Sequence, residues 1–472
     1  MIGLGGVIGA GLFVGSGAVI KVTGPAAILS YLLAGVLIVL TMRMLGEMAT
    51  ANPAVGSFVE YARRALGPGA GFTTGWLYWY FWVIVVGFEA VAGAGILGRW
   101  VHAPLWSMAL GLMVLMTLTN LWSVRSYGEF EFWFASIKVA AIITFLVLGT
   151  TYVLGLWPNK GFDISNLTAV HGFAPMGLGA ILSGIVIVIF SMVGAEIVTV
   201  AAAESAEPRR AVVRATNAVM WRVLIFFVGS VLLVVTILPW NDARLGQSPY
   251  VAALDVMRIP GAADIMNGIV LTAVLSCLNS GLYTASRVLF ALARRGDAPA
   301  ATLKTNRRGV PVKAILACTI VGYIGVAMAY ISPNQVFMFL LNSSGAIVLF
   351  VYALICLSQI RMRRQLEREE PERLQLRMWL FPYLSYATLL MIGIVIGSMY
   401  WVPGSRSQLV LSFVSLGLVL SAYGIKSVRA RAHRARGPVV GEVALPAMSP
   451  IRDYLTSATQ HEVPVVPNTQ VS

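Results

Sequence analysis

Charge is what this chain has least of. Asp, Glu, Lys and Arg make up 11% of its 472 residues, 58% are hydrophobic, and the mean hydropathy is +0.80. A soluble globular domain needs more charge than that to keep its surface hydrated, which leaves a polytopic membrane protein as the class. Histidine is scarce too: His102, His171, His433 and His461 all fall in loops or in the tail. An intramembrane haem or zinc site therefore has no imidazole to draw on. The three cysteines, Cys277, Cys318 and Cys356, sit inside apolar spans, which excludes a disulfide framework or a metal cluster. The first span lacks a basic leader, so a cleavable signal peptide is not expected. The net charge of +14 does not point to nucleic acid, because the cations lie in short loops between apolar spans.

Windows of about 20 apolar residues place twelve spans, numbered here in order: 2–21, 25–49, 72–97, 105–124, 132–156, 178–202, 217–238, 262–286, 312–331, 336–357, 379–401 and 408–425. Arg63, Arg64, Arg125, Arg209, Arg210, Arg214, Arg294, Arg295, Lys304, Arg361, Arg363 and Arg364 fall on one side of them. The other side has scattered cations such as Lys21, Arg99, Lys160 and Arg244. The positive-inside rule then puts the even-numbered loops and both termini in the cytoplasm. Trp76, Tyr78, Trp79, Tyr80 and Trp82 exceed what one interfacial belt requires, so some of them should face protein. Beyond residue 425 the chain turns basic, as expected of a lipid-headgroup contact, and then polar and disordered in character.

Glycine is concentrated where a helix can least accommodate it. Gly5-Gly6-Val7-Ile8-Gly9-Ala10-Gly11 lies inside span 1, and each glycine weakens a helix by roughly 1 kcal/mol relative to alanine. Broken backbone in a bilayer survives only where it lines a cavity or is buried in protein. The N–H groups of Gly9, Ala10 and Gly11 would then open a half-helix and point at an anion such as a carboxylate. Close helix packing through the Gly5/Gly9 pair is the alternative. Met192-Val193-Gly194-Ala195-Glu196 echoes the stretch in span 6, which crosses in the opposite direction. Paired interruptions in two inverted halves point to a transporter site, and packing alone does not predict the pairing.

Ionisable residues inside spans are costly and therefore candidates for function. Arg43 and Glu47 are four apart near the cytoplasmic end of span 2, as in an interfacial i,i+4 pair. Glu89 lies in mid-span, where it must be protonated or have a partner or water. Lys138 either snorkels to the cytoplasmic face or toggles its charge, since desolvation disfavours an ammonium. Glu196 follows the second break and would orient the unwound backbone or pair with a cation. In span 8, Cys277, Ser280 and Tyr283/Thr284 share one stripe, which is either interhelical hydrogen bonding or the wall of a wet cavity. The wall reading adds Cys277 to the substrate-binding candidates.

GGVIGAGLF, MRMLGEMA, PAVGSFVEYA, GEFEFWFASIKV, FSMVGAEIVTVAAAES and SRVLFALARRGDAP occur in the order found in amino acid permeases of the amino acid–polyamine–organocation superfamily, which the chain resembles from residue 1 to about residue 425. GWLYWYFWV, SMVGAEIVTVAAAE and SCLNSGLYTASR are most similar to the bacterial γ-aminobutyrate (GABA) permeases. The resemblance implies an all-α polytopic membrane protein with a leucine-transporter-type fold. Two inverted five-helix repeats, 1–157 and 172–357, would be followed by two further helices at 379–425 and a cytoplasmic tail at 426–472. It also implies a substrate carboxylate on Gly9, Ala10 and Gly11, and an amino group on carbonyls at Val7, Phe190 and Val193. Phe190 matches an aromatic lid. Lys138 matches a lysine that takes a proton where relatives bind sodium, and Glu89 and Glu196 are further proton-coupling candidates. Family members carry a polar, basic segment before the first span, whereas this chain begins within the motif.

The function expected is import of an amino acid, GABA first, by proton symport across a bacterial plasma membrane, with no cofactor. A permease of broader specificity (proline, aromatic or basic substrates) and an exchanger share the fold. A membrane enzyme or receptor is disfavoured by the lack of any clustered nucleophile and base.

Overall fold

The computed structural model describes residues 8–53, 57–122, 125–158, 160–197, 208–246, 248–306, 309–333, 335–402 and 405–435, which contain sixteen α-helices and no β-strand. They are α1 (Ala10–Phe13), α2 (Gly15–Thr23), α3 (Ala27–Ala51), α4 (Ser57–Leu66), α5 (Pro68–Leu97), α6 (Leu105–Trp122), α7 (Arg125–Val153) and α8 (Gly177–Met192). The second half holds α9 (Pro208–Arg222), α10 (Ser230–Ile237), α11 (Pro249–Val256), α12 (Ala262–Arg294), α13 (Val312–Ile331), α14 (Val336–Glu369), α15 (Tyr383–Trp401) and α16 (Arg406–Ala435). The chain packs as one unit through Tyr423, and residues 424–435 are the end of α16.

Ten stretches among the described residues are long and apolar enough to cross a membrane. The first, Ala10–Ala51, covers the described part of span 1 and all of span 2, because only the 3-10 turn Gly24–Ala26 separates α2 from α3. Span 6 is represented by α8, whose 16 residues fall short of a full crossing because the helix breaks at Met192. Span 7 carries a seven-residue π-helix at Val223–Gly229, a feature that hydropathy does not register.

The core is organised around α5, which packs against α4, α6, α12, α13 and α14. In its most apolar window 83% of residues are buried, against 11% in that of α16, so α5 is a central helix and α16 a peripheral one. Small residues permit this crowding: a Cβ on Gly93 of α5 would stand 2.9 Å from Leu112 Cδ1 of α6 and 3.1 Å from Val274 Cγ1 of α12. The aromatic run of α5 does face protein. Tyr78 and Trp82 are buried, Trp76 Nε1 donates to the Asp297 carbonyl at 3.1 Å, and Trp79 Nε1 reaches Cys318 Sγ at 3.2 Å. Beside it, the amphipathic α4 ties the N-terminal end of α5 to the end of α12 through Arg63–Asp297 and Arg295–Glu60 ion pairs.

Glu47 does not pair with Arg43. Its carboxylate accepts from Arg363 Nη1 at 2.8 Å, Gln359 Nε2 at 2.8 Å and the Met378 N–H at 2.5 Å. Arg43 instead donates to the Arg377 carbonyl at 2.9 Å and lies over the Trp379 ring. The reason is reach across space: α3 packs against α14, so a buried arginine and an amide on α14 are better partners than a half-exposed neighbour one turn away. Removing one member of a buried pair strands the other charge, at about 3–5 kcal/mol. Glu47→Ala should accordingly destabilise the protein in reversible unfolding from micelles by about that much. A change below about 1 kcal/mol would mean the cluster contributes as little as an exposed pair.

Candidate functional site

The helix is interrupted close to both glycine stretches, although residues 1–7, on the far side of the first, lie outside the described residues. Gly9 caps α1 in an extended conformation (φ −138°, ψ −153°), and α1 lasts only four residues before Val14 interrupts it. On the other side α8 stops at Met192, Val193 is extended (φ −63°, ψ 145°), and Gly194 has φ +107°. That last value is open to glycine and strained for other residues. The two breaks meet, since α1 packs on α8, α5 and α12. A Cβ on Gly11 would come within 2.8 Å of the Ser191 Cα, so the contact requires glycine.

One of the N–H groups expected to face a ligand is engaged by the protein itself. The Ala10 N–H donates to both oxygens of Glu89, at 3.2 and 3.1 Å, and Glu89 is 2% exposed. Mid-span Glu89 thus has a partner in the positive end of a broken helix, in line with backbone electrostatics. Gly9 lies against the same carboxylate and against Cys277 of α12.

Gly9, Gly11, Glu89, Phe190, Val193 and Cys277 line one cavity of about 10 Å³, closed further by Phe81, Trp82, Val85 and Ser191. That is room for about one water. Phe190 sits edge-on to Phe88 and Phe81, with ring centroids 4.8 and 5.6 Å apart. Five of the seven residues expected to bind substrate are therefore brought together. Ala10 lies between two of them, and Val7 is outside the described residues. A larger cavity of about 490 Å³, bordered by Asn120, Phe134, Asn279, Tyr283 and Arg287, shares no lining with this one.

The other two ionisable candidates separate from each other. Glu196 accepts from the Gly194 N–H at 3.0 and 3.1 Å and from the Tyr78 hydroxyl at 2.8 Å, so its bonds fasten the second break to α5. Lys138 is fully buried and does not snorkel: its ammonium donates to Ser276 Oγ at 2.9 Å. Ser276 in turn donates to Glu131 at 2.9 and 3.0 Å, and Glu131 is fully buried as well. Sequence reasoning missed Glu131 and gave Ser276, one of several polar residues in span 8, no role of its own. Glu131 lies just outside span 5 as drawn, yet its separation of seven from Lys138 puts the two on one helical face. Ser276 falls beside the stripe of α12, whose Cys277 lines the cavity, and Asn279, off the stripe, accepts from Asn120 Nδ2 at 2.6 Å.

The amino acid permease family model matches residues 1–437. The gamma-aminobutyric acid permease of Bacillus subtilis is 54% identical over 425 residues, covering 90% of this chain and 91% of the relative. That of Escherichia coli is 47% identical over 422 residues, covering 89% and 90%. Among solved structures, a manganese transporter of Eremococcus coleocola superposes with a TM-score of 0.52 at 13% identity, covering 90% of this chain and 91% of that one, which is a likeness of fold. Fold, paired breaks and sequence agree, and the chain belongs to the amino acid permease family.

Proposed function

We propose that this permease imports γ-aminobutyrate by proton symport, with alternating access between two inverted halves at 1–157 and 172–357. The observation that carries the reading is the small cavity where both helix breaks, Glu89 and Cys277 converge. The substrate carboxylate goes to the N–H groups at Gly9–Gly11, and to do so it displaces Glu89 from Ala10. The amino group goes to backbone carbonyls at the second break, beneath the Phe190 ring. Lys138 and Glu89 are the proton-coupling groups, and Glu196 holds the break in position. The relatives named above as gamma-aminobutyric acid permeases support the substrate. The crowding of Phe81, Trp82 and Phe190 also favours a slender unbranched amino acid over an aromatic one. The cavity is too small for an amino acid in this structure, so the helices around it must part for substrate to enter. The arginine-rich loops support a plasma-membrane protein with both termini in the cytoplasm.

Uptake of labelled GABA, proline, phenylalanine and lysine into vesicles, with and without an imposed pH gradient, tests this reading. GABA should accumulate above equilibrium only with the gradient. Unlabelled GABA should compete, whereas its methyl ester and N-acetyl derivative should not, because each lacks one end of the zwitterion. Preference for another amino acid would overturn the substrate. Counterflow that ignores the gradient would identify an exchanger.

A further inference from the structure

Glu131 has no part in the reading above, yet it is a carboxyl group buried as completely as any in the protein. It stands seven residues before Lys138, two turns or about 10 Å along α7. The Ser276 hydroxyl of α12 bridges that gap, accepting from Lys138 and donating to Glu131. A hydroxyl accepts and donates at once, so the three groups form a wire with one direction. Its upper end lies beside the substrate cavity, since Cys277, the residue after Ser276, lines that cavity. Among the described residues, the titratable groups that act on Lys138 include Glu131 on its own helix, Cys277 on α12 and Glu89 on α5. The other segments packed on α7, Val223–Gly229 and Ser230–Ile237, contain no charged residue.

We infer that Glu131 accepts the coupling proton from Lys138 through the Ser276 hydroxyl and is the group from which the proton leaves the protein. The transfer balances. A Lys138 N–H bond breaks as its proton joins Ser276 Oγ, and the serine's own proton moves to a Glu131 oxygen. An ammonium–carboxylate pair becomes an amine and a carboxylic acid, the serine is unchanged, and the summed charge of the pair stays at zero. Loss of the proton from Glu131 to the cytoplasm then leaves Lys138 ready for the next one. The inference rests on the symport reading and names the residue at which its proton exits.

The test uses the full chain reconstituted in vesicles, wild type and four variants. Glu131→Gln keeps the shape but takes no proton, and Ser276→Ala cuts the wire. Both should lower the ratio of gradient-driven accumulation to substrate exchange at least tenfold and flatten its pH profile. Glu131→Asp and Ser276→Thr retain the chemistry and should restore the ratio in part. In infrared difference spectra, a carboxylic acid band that appears on acidification should vanish in Glu131→Gln. A purely structural role would reduce accumulation and exchange together and leave the ratio and pH profile as in wild type, which would overturn the inference. So would a band that persists in Glu131→Gln. Wild-type accumulation indifferent to the gradient would remove the symport reading, and the band would still decide whether Glu131 takes up a proton.

Discussion

Gly9→Val should abolish substrate binding. A Cβ at Gly9 would stand 2.6 Å from Glu89 Oε1, 2.7 Å from Cys277 Cβ and 2.8 Å from its Sγ. The carboxylate can swing aside, but the Cys277 Cβ is fixed by the backbone of α12, so α1 must retreat from it. Valine adds two methyl groups to a cavity of about 10 Å³, in the space through which a carboxylate approaches the N–H groups. Overpacking of this kind costs about 1–3 kcal/mol on its own. Losing the backbone donors adds to it, and the sum should weaken GABA binding at least a hundredfold, about 2.7 kcal/mol. Equilibrium binding in detergent, on variants that elute as folded protein by size exclusion, is the measurement. Gly95→Val is the control, since a Cβ there meets nothing within 4 Å. Wild-type affinity in folded Gly9→Val would remove the broken helix from the binding site.

Lys138→Ala should lose accumulation against the GABA gradient and also lower stability. Alanine preserves the helix, but the buried carboxyl of Glu131 is left without its counter-charge, at about 3–5 kcal/mol if it stays ionised. The two consequences separate in the double variant Lys138→Ala/Glu131→Gln, which has no stranded charge. Its folded yield and melting temperature should return toward wild type while accumulation stays lost. A double-mutant cycle over these variants measures the coupling directly, because the residues are joined through one serine. If Lys138→Ala concentrates substrate as wild type does, the lysine has no part in coupling and Glu89 becomes the group to examine.

Glycine content exposed both breaks, because a weakened helix in an apolar span leaves a compositional trace. The echo at Gly194 located the second break to the residue. Depth in the span marked Glu89, Lys138 and Glu196 equally, since position along one helix is all that hydropathy reports. It could not say that Glu89 would sit on the Ala10 N–H while Glu196 is secured by Gly194 and Tyr78. Those partners come from other helices. Glu47 shows the same limit: helical spacing offered Arg43, and the fold supplied Arg363 from more than three hundred residues away. Glu131 was lost at an edge, where a carboxylate among aromatic residues reads as interfacial decoration until the helix is seen to extend back to Arg125.

The small cavity between the two breaks bears on the electrical side of the proposed symport. It has space for about one water, with the Glu89 carboxylate in its wall. A charge carried across the membrane is worth about 2.3 kcal/mol per 100 mV. A zwitterion accompanied by one proton crosses as a single positive charge, so an inside-negative voltage would drive such uptake even where the two sides have the same pH.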